Sequence, residues 1–354
     1  MAILTFLRRL FSRTPANPST PTPSPRFDAA AAGDALFLTT IKFPAGPGAD
    51  PYLVGYQSGN RVFPHWEAHE PSRGVFDWDS YMYDAAHGYY ANAVTASDLC
   101  QSRGEDVIVC LGDALWNTAS WTDTSNDTDL YNYVFGIAQR TQSDLWEPAN
   151  EPSNLPVDMT LLVHRFDIAC QAIKAARPSA RIIGPSCESI VSGGTGVAYT
   201  TSFLQSGGAA LIDILGVHLY PHGTQVAGVN EPVSILAQMA YLKAQIAGLW
   251  AGPIWNTECG MNVMPNNFDT YPEADQVRRA FQLWVLPIAA GCERSYLYAH
   301  NQLQMGFQTS PYLGTSLLAT WRSARALAKK TLASSSVAGL QALLNWTDGT
   351  SSTL

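Results

Sequence analysis

The chain of 354 residues predicts a (β/α)8 barrel, the TIM-barrel form of the α/β class, on two observations. Short β-rich runs recur mostly at intervals of roughly 30 to 40 residues, and helix-length segments fill most of the gaps. The eight runs are ALFLTTI, GNRVFPHW, DVIVCLG, SDLWEPAN, ARIIGPS, IDILGVHLY, GPIWNTE and ERSYLYAHN. The segment VDMTLLVHRFDIACQAIKAA, after the fourth run, sets Leu162, Phe166, Ala169 and Ile173 at helical spacing, and Pro178 closes it. Strict alternation of strand and helix calls for a parallel sheet. An open doubly wound sheet shares that alternation, but no GxGxxG or P-loop follows any run, so the barrel is favoured.

Composition narrows the class of protein. A hydrophobic fraction of 46% over this length fills a sizeable core. No apolar run reaches the roughly 18 to 20 residues a membrane-spanning helix needs. With 21 basic against 29 acidic residues the net charge is -8, so a surface that tracks phosphates is not expected, and neither is a nucleic-acid partner. Ten Trp and fifteen Tyr suit stacking on sugar rings, although large aromatics also fill cores. Cys100, Cys110, Cys170, Cys187, Cys259 and Cys292 lack CxxC spacing and are read as buried free thiols. The seven histidines show no HxxxH or Cys/His cluster, so neither a metal site nor a cofactor is expected.

The ends differ from the middle. Residues 1–27 are read as a flexible Pro/Thr/Ser-rich tail, residues 28–332 as the catalytic barrel, and residues 333–354 as a C-terminal extension, the start of a small β segment cut short. The opening MAILTFLRRLFSR sets Ile3, Leu4, Phe6, Leu7, Leu10 and Phe11 on one helical face beside Arg8, Arg9 and Arg13. It is either a frayed tail or a short basic helix making weak membrane-surface contact through residues 1–13. Its apolar part precedes the arginines and is too short for an ordinary signal peptide.

In such barrels chemistry sits at the C-terminal ends of the strands. Glu151 ends the fourth run and Glu258 the seventh, and they stand 107 positions apart. Three βα units of about 31 residues predict slightly less than that. Two carboxylates at one barrel mouth are what hydrolysis of a glycosidic bond requires, one to protonate the leaving oxygen and one to attack the anomeric carbon.

Three stretches together resemble the clan of retaining (β/α)8 glycoside hydrolases, and nearest within it family 39, with its bacterial exopolysaccharide-degrading members. They are NEP at 150–152, WNTE at 255–258, and RVFPHWEAHEPSRGVFDW, which holds Arg61, Trp66, Glu70, Pro71, Gly74 and Asp77 in register with the clan's strand-two stretch. The resemblance implies that Glu151 is the acid/base, Glu258 the nucleophile, Asn150 a donor to the sugar 2-hydroxyl, and Arg61 a neighbour of the nucleophile. GVHLYPH is similar to the clan's strand-six His-x-Tyr, which makes Tyr220 a hydrogen-bond partner of Glu258 and His218 a site-lining residue. Trp66 joins the supporting set. Trp116, Tyr298, His300 and Asn301 end the third and eighth runs and are candidates to line the cleft.

The family pattern often reads F-E-x-W-N-E-P, which gives Glu147 a place. On an extended strand positions 147 and 151 face the same side, so Glu147 is expected inside the barrel beneath Glu151. Pro148 and Ala149 stand where Val-Trp or similar is usual, and a distortion is expected at Pro148, which cannot donate to a ladder.

The sequence thus points to a retaining β-glycosidase acting on a poly- or oligosaccharide by double displacement. A catalytically silent carbohydrate-binding barrel is the alternative, and a Ser-His-Asp hydrolase lacks its GxSxG elbow. A polysaccharide substrate implies extracellular or periplasmic action.

Overall fold

A computed structural model describes residues 37–40, 59–64, 66–78, 83–84, 89–90, 97, 106–112, 126–154, 158–188, 190–222, 225–226, 229–260, 279, 282–283, 285–298, 332–338, 341–346 and 351–353. The tail 1–27, with its basic helix at 1–13, lies outside these residues, as do Cys100, Trp116, His300 and Asn301. No described helix is long and apolar enough to cross a membrane.

Eight parallel strands close into the expected barrel: β1 (Phe37–Thr40), β2 (Gly59–Val62), β3 (Asp106–Cys110), β4 (Leu145–Glu147), β5 (Arg181–Cys187), β6 (Ile214–His218), β7 (Ile254–Gly260) and β8 (Arg294–Tyr298). Each falls within its sequence run except at the ends. Among the described residues, helices with described bounds follow β2, β3, β4, β5 and β6: α1 (Trp66–His69), α2 (Asp127–Arg140), α3 (Met159–Ala176), α4 (Thr195–Gln205) and α5 (Ser234–Gln245). Leu332–Ala338, Gln341–Trp346 and Ser351–Thr353 form a separate antiparallel sheet.

Period-two alternation sorts the strand residues into two cores. Ile108, Leu145, Ile183, Ile214, Trp255 and Tyr296 form an apolar layer, one residue from each of six successive strands. At its lower edge Arg294 lies over the Trp255 ring at 4.4 Å and pairs with Asp106 at 2.8 Å, so the first residues of the strands cap the layer. Val107, Val109, Trp146, Ile182, Leu215 and Val217 belong to the larger core, which includes Leu162, Phe166, Ala169 and Ile173 of α3. Both helices flanking β4 have built starts. Asn126 and Asp129 form a reciprocal capping box on α2, and Asp158 accepts from Thr160 and Leu161 on α3.

Two strands of the barrel carry an extra residue. Ser186 interrupts the pairing of β5 with β6, and Thr257 that of β7 with β6. Ser186 has φ 60, and its side chain fills the space a residue larger than glycine would occupy at position 216. A Cβ on Gly216 would meet Ser186 Oγ at 2.2 Å and Ile183 Cγ2 at 2.9 Å. Gly216→Ala is therefore expected to destabilise the barrel by about 1 to 3 kcal/mol, read as a fall of several degrees in Tm by calorimetry. An unchanged Tm would show that β5 yields without cost.

Candidate active site

β4 ends at Glu147, one residue before Pro148, where the missing N–H stops the ladder. The expectation that the strand runs on to Glu151 is therefore corrected. Glu151 sits in the turn that follows, at φ 46, where its N–H donates to the Ser186 carbonyl at 3.1 Å. The extra residue of β5 thus anchors the backbone of Glu151. Glu147 does face the interior, but by its own strand parity rather than by sharing a strand with Glu151.

Arg61 of β2 organises this interior. Its Nε pairs with Glu147, its Nη1 lies 2.6 Å from Glu258 Oε2, and its Nη2 donates to Asn150 Oδ1 at 2.7 Å. Burial alone works against the guanidinium charge, but Cys110, Glu147 and Glu258 together outweigh it, so its pKa rises above the ordinary range. The Cys110 thiol, pushed up by burial, lies 3.4 Å from Nη2, and Phe63 packs its ring under the guanidinium at 4.7 Å. Thr257 donates to Glu147 at 2.9 Å.

Above that layer stand the two carboxylates. Glu258 receives Arg61 on one oxygen and the Tyr220 hydroxyl on the other at 2.6 Å. Glu151 meets His218 Nδ1 at 2.6 Å and Asn154 Nδ2 at 3.3 Å. Burial pulls the His218 pKa down, yet Glu258 and the hydrogen bond and charge of Glu151 outweigh it, and the net direction is upward. Among the described residues Glu151, His218 and Glu258 are the group that could hold a metal ion, with ligand atoms all within 4.8 Å of one another.

Other candidates fare differently. Trp66 stacks on Tyr133 at 4.9 Å and donates to Glu70 at 2.6 Å, so its described contacts brace the turn after β2 against α2. Tyr298 is the last residue of β8, and only its backbone is described. Cys110, Cys170, Cys187, Cys259 and Cys292 are free and buried, in keeping with the thiol reading. Cys259 contacts Leu283 O, Ser295 Oγ and Tyr296 O, and burial pushes it up to about 12, which fits packing.

Sequence reasoning missed Glu188, which follows β5 and is half-buried. Burial first and then the Glu151 charge raise its pKa, while a hydrogen bond to Asn154 opposes them. Asn154 therefore joins Glu151 to a third carboxyl. Only the position of Glu188 just past a strand end could have marked it.

A closed (β/α)8 barrel carrying a close carboxylate pair at its mouth is thus the class of architecture. No protein-family model matches the sequence, and no curated protein matches it. Solved structures do resemble it. A glucosidase from Croceicoccus marinus has a TM-score of 0.57 at 13% identity, over 82% of this chain and 67% of that one. A monomeric β-xylosidase from Caulobacter crescentus has a TM-score of 0.54 at 14% identity, over 89% and 70%. A psychrophilic glycoside hydrolase family 10 endo-β-1,4-xylanase has a TM-score of 0.51 at 12% identity, over 76% and 87%. At these identities the likeness shows the fold, and these three neighbours are described as glycoside-cleaving enzymes.

Two outcomes are expected from this geometry. Glu147→Ala leaves the buried Arg61 short of one counter-charge and should cost about 3 kcal/mol or more, seen as a clear loss of Tm. Because the Glu188 pKa is raised on folding, ionising it costs stability, and that cost is absent below its ordinary value of 4.5 and appears as pH rises through the raised one. Glu188→Gln should therefore melt higher than wild type at pH 7 to 8, with the gain vanishing below pH 4.5. Equal melting curves across that range would contradict the argument.

Proposed function

We propose that the protein is a retaining β-glycoside hydrolase acting on a poly- or oligosaccharide. The observation that carries this reading is the closeness of the pair: a Glu151 oxygen and a Glu258 oxygen lie within 4.8 Å. Retaining pairs stand about 5 to 5.5 Å apart, and inverting pairs about 6.5 to 9.5 Å, because inversion needs room for water between carboxylate and sugar.

The two environments divide the labour. Glu258, with Arg61 on one oxygen and Tyr220 on the other, is fixed in orientation as a nucleophile must be. In the first step a Glu258 oxygen bonds to the anomeric carbon as the glycosidic bond breaks, and the Glu151 proton passes to the leaving oxygen. In the second, Glu151 takes a proton from water, the water oxygen attacks the same carbon, and Glu258 leaves as carboxylate. His218 orients the Glu151 carboxyl through both steps. With its oxygen engaged by Arg61, the Asn150 amide has its N–H groups to offer, which suits the donor to a sugar 2-hydroxyl that the clan resemblance implies. Assignment to family 39 rests on the motif residues alone.

The test is turnover of aryl β-glycosides with good leaving groups and of an oligosaccharide panel. Glu258→Ala should lose activity by a factor of about 10^4 or more, with a fall in Tm beside it because Arg61 loses a counter-charge. Glu151→Ala should keep the first step for good leaving groups, and azide should raise its turnover and give a β-glycosyl azide. Binding of oligosaccharides with no turnover of any of them would favour the silent carbohydrate-binding barrel.

A further inference from the structure

Tyr220 lies beyond the barrel ladder, since β6 ends at His218. Its hydroxyl nevertheless reaches Glu258 Oε1 at 2.6 Å. A side chain on a free loop would lose that bond through small backbone shifts, so the backbone of residues 219–222 must be held by something else. The Leu219 N–H is held by Asn256 Oδ1 and by the Glu258 carbonyl, both at 3.0 Å. The next contacts come from α5. Gln238 Nε2 donates to the Tyr220 carbonyl at 2.7 Å, and Ser234 Oγ accepts from the His222 N–H at 2.9 Å.

Gln238 and Ser234 are one helical turn apart on α5, 3% and 4% exposed, and 3.4 Å from each other between Gln238 Nε2 and Ser234 Oγ. Gln238 Oε1 is buried without a partner among the described residues. Stranding that acceptor costs stability, and a methionine of similar volume would avoid the cost. Filling space therefore does not account for glutamine here, whereas its donor does have a use.

We propose that Gln238 is a positioning residue, whose amide fixes the Tyr220 backbone and thereby holds the Tyr220 hydroxyl on Glu258. The kinetic part rests on the reading of Glu258 as nucleophile. Gln238 touches no reacting atom and acts through Tyr220, so its removal should matter only while the Tyr220 hydroxyl is present.

The test is a double-mutant cycle on the full chain, with wild type, Gln238→Met, Tyr220→Phe and the double variant assayed on an aryl β-glycoside. Tyr220→Phe removes a hydrogen bond to a charged group and is expected to lower kcat/KM about 10-fold to 100-fold. Gln238→Met should lower it about 5-fold or more in the wild-type background and less than about 2-fold in the Tyr220→Phe background. Equal losses in both backgrounds would overturn the proposal. Gln238→Leu serves in the same cycle should the methionine variant fold poorly, with Tm recorded for each. Crystal structures of wild type and the Gln238 variant provide a readout independent of turnover. The Tyr220 to Glu258 separation should lengthen from 2.6 Å to beyond hydrogen-bond range, and an unchanged separation would equally sink the idea. A wild-type protein that turns over no glycoside refutes the glycosidase reading, yet the structural comparison still decides the role of Gln238.

Discussion

Everything at the barrel mouth depends on keeping one guanidinium charged in a fully buried place. Arg61 is fully buried on β2, and its pairing with Glu147, Glu258 and Asn150 binds the strand that bears it to β4, to the turn after β4 and to β7. An ion in a low-dielectric interior is tolerated only where its counter-charges are close and geometrically satisfied. The planar fork meets that condition with separate nitrogens for separate partners, which a lysine could not do. The result is a site whose members are fixed relative to one another through a shared cation.

The layers beneath explain why this cation can sit there. Among the described residues, six largely apolar side chains fill the lower barrel beneath Arg61. Trp255, under Arg294 and with its indole N–H 3.3 Å from Glu293, closes that end. Polar groups are thus concentrated in the upper half, where Thr257 completes the shell of Glu147. Pre-set dipoles and charges of this kind need no reorganisation as charge moves during a reaction.

How much of this was legible in the sequence follows from the range of each interaction. The eight strands showed because each is a short apolar run whose signal is local, and α3 showed through Leu162, Phe166, Ala169 and Ile173. Glu151 and Glu258 showed through their place at the ends of runs and through the motifs around them. Glu147 was placed correctly for an incomplete reason, because β4 stops at Pro148 and Glu151 lies off the strand at φ 46. Ser186, Thr257 and Gln238 left no signal, since each matters only through residues distant in the chain: Ser186 through Gly216 and Glu151, Thr257 through Glu147, Gln238 through Tyr220.

The extra residue at Thr257 has a consequence for how this strand tolerates change. Up to Trp255 the odd positions of β7 face the axis, Thr257 and Glu258 both do, and by Cys259 the odd positions face the helices. The strand therefore changes parity at one peptide unit. Deleting Thr257 would restore a simple alternation and remove the donor to Glu147, and deleting Asn256 would do so by turning Thr257 to the helix side. Point substitutions around Glu258 alter a group, but a one-residue deletion alters the phase of the whole strand end. In this segment the number of residues constrains the site alongside their identity.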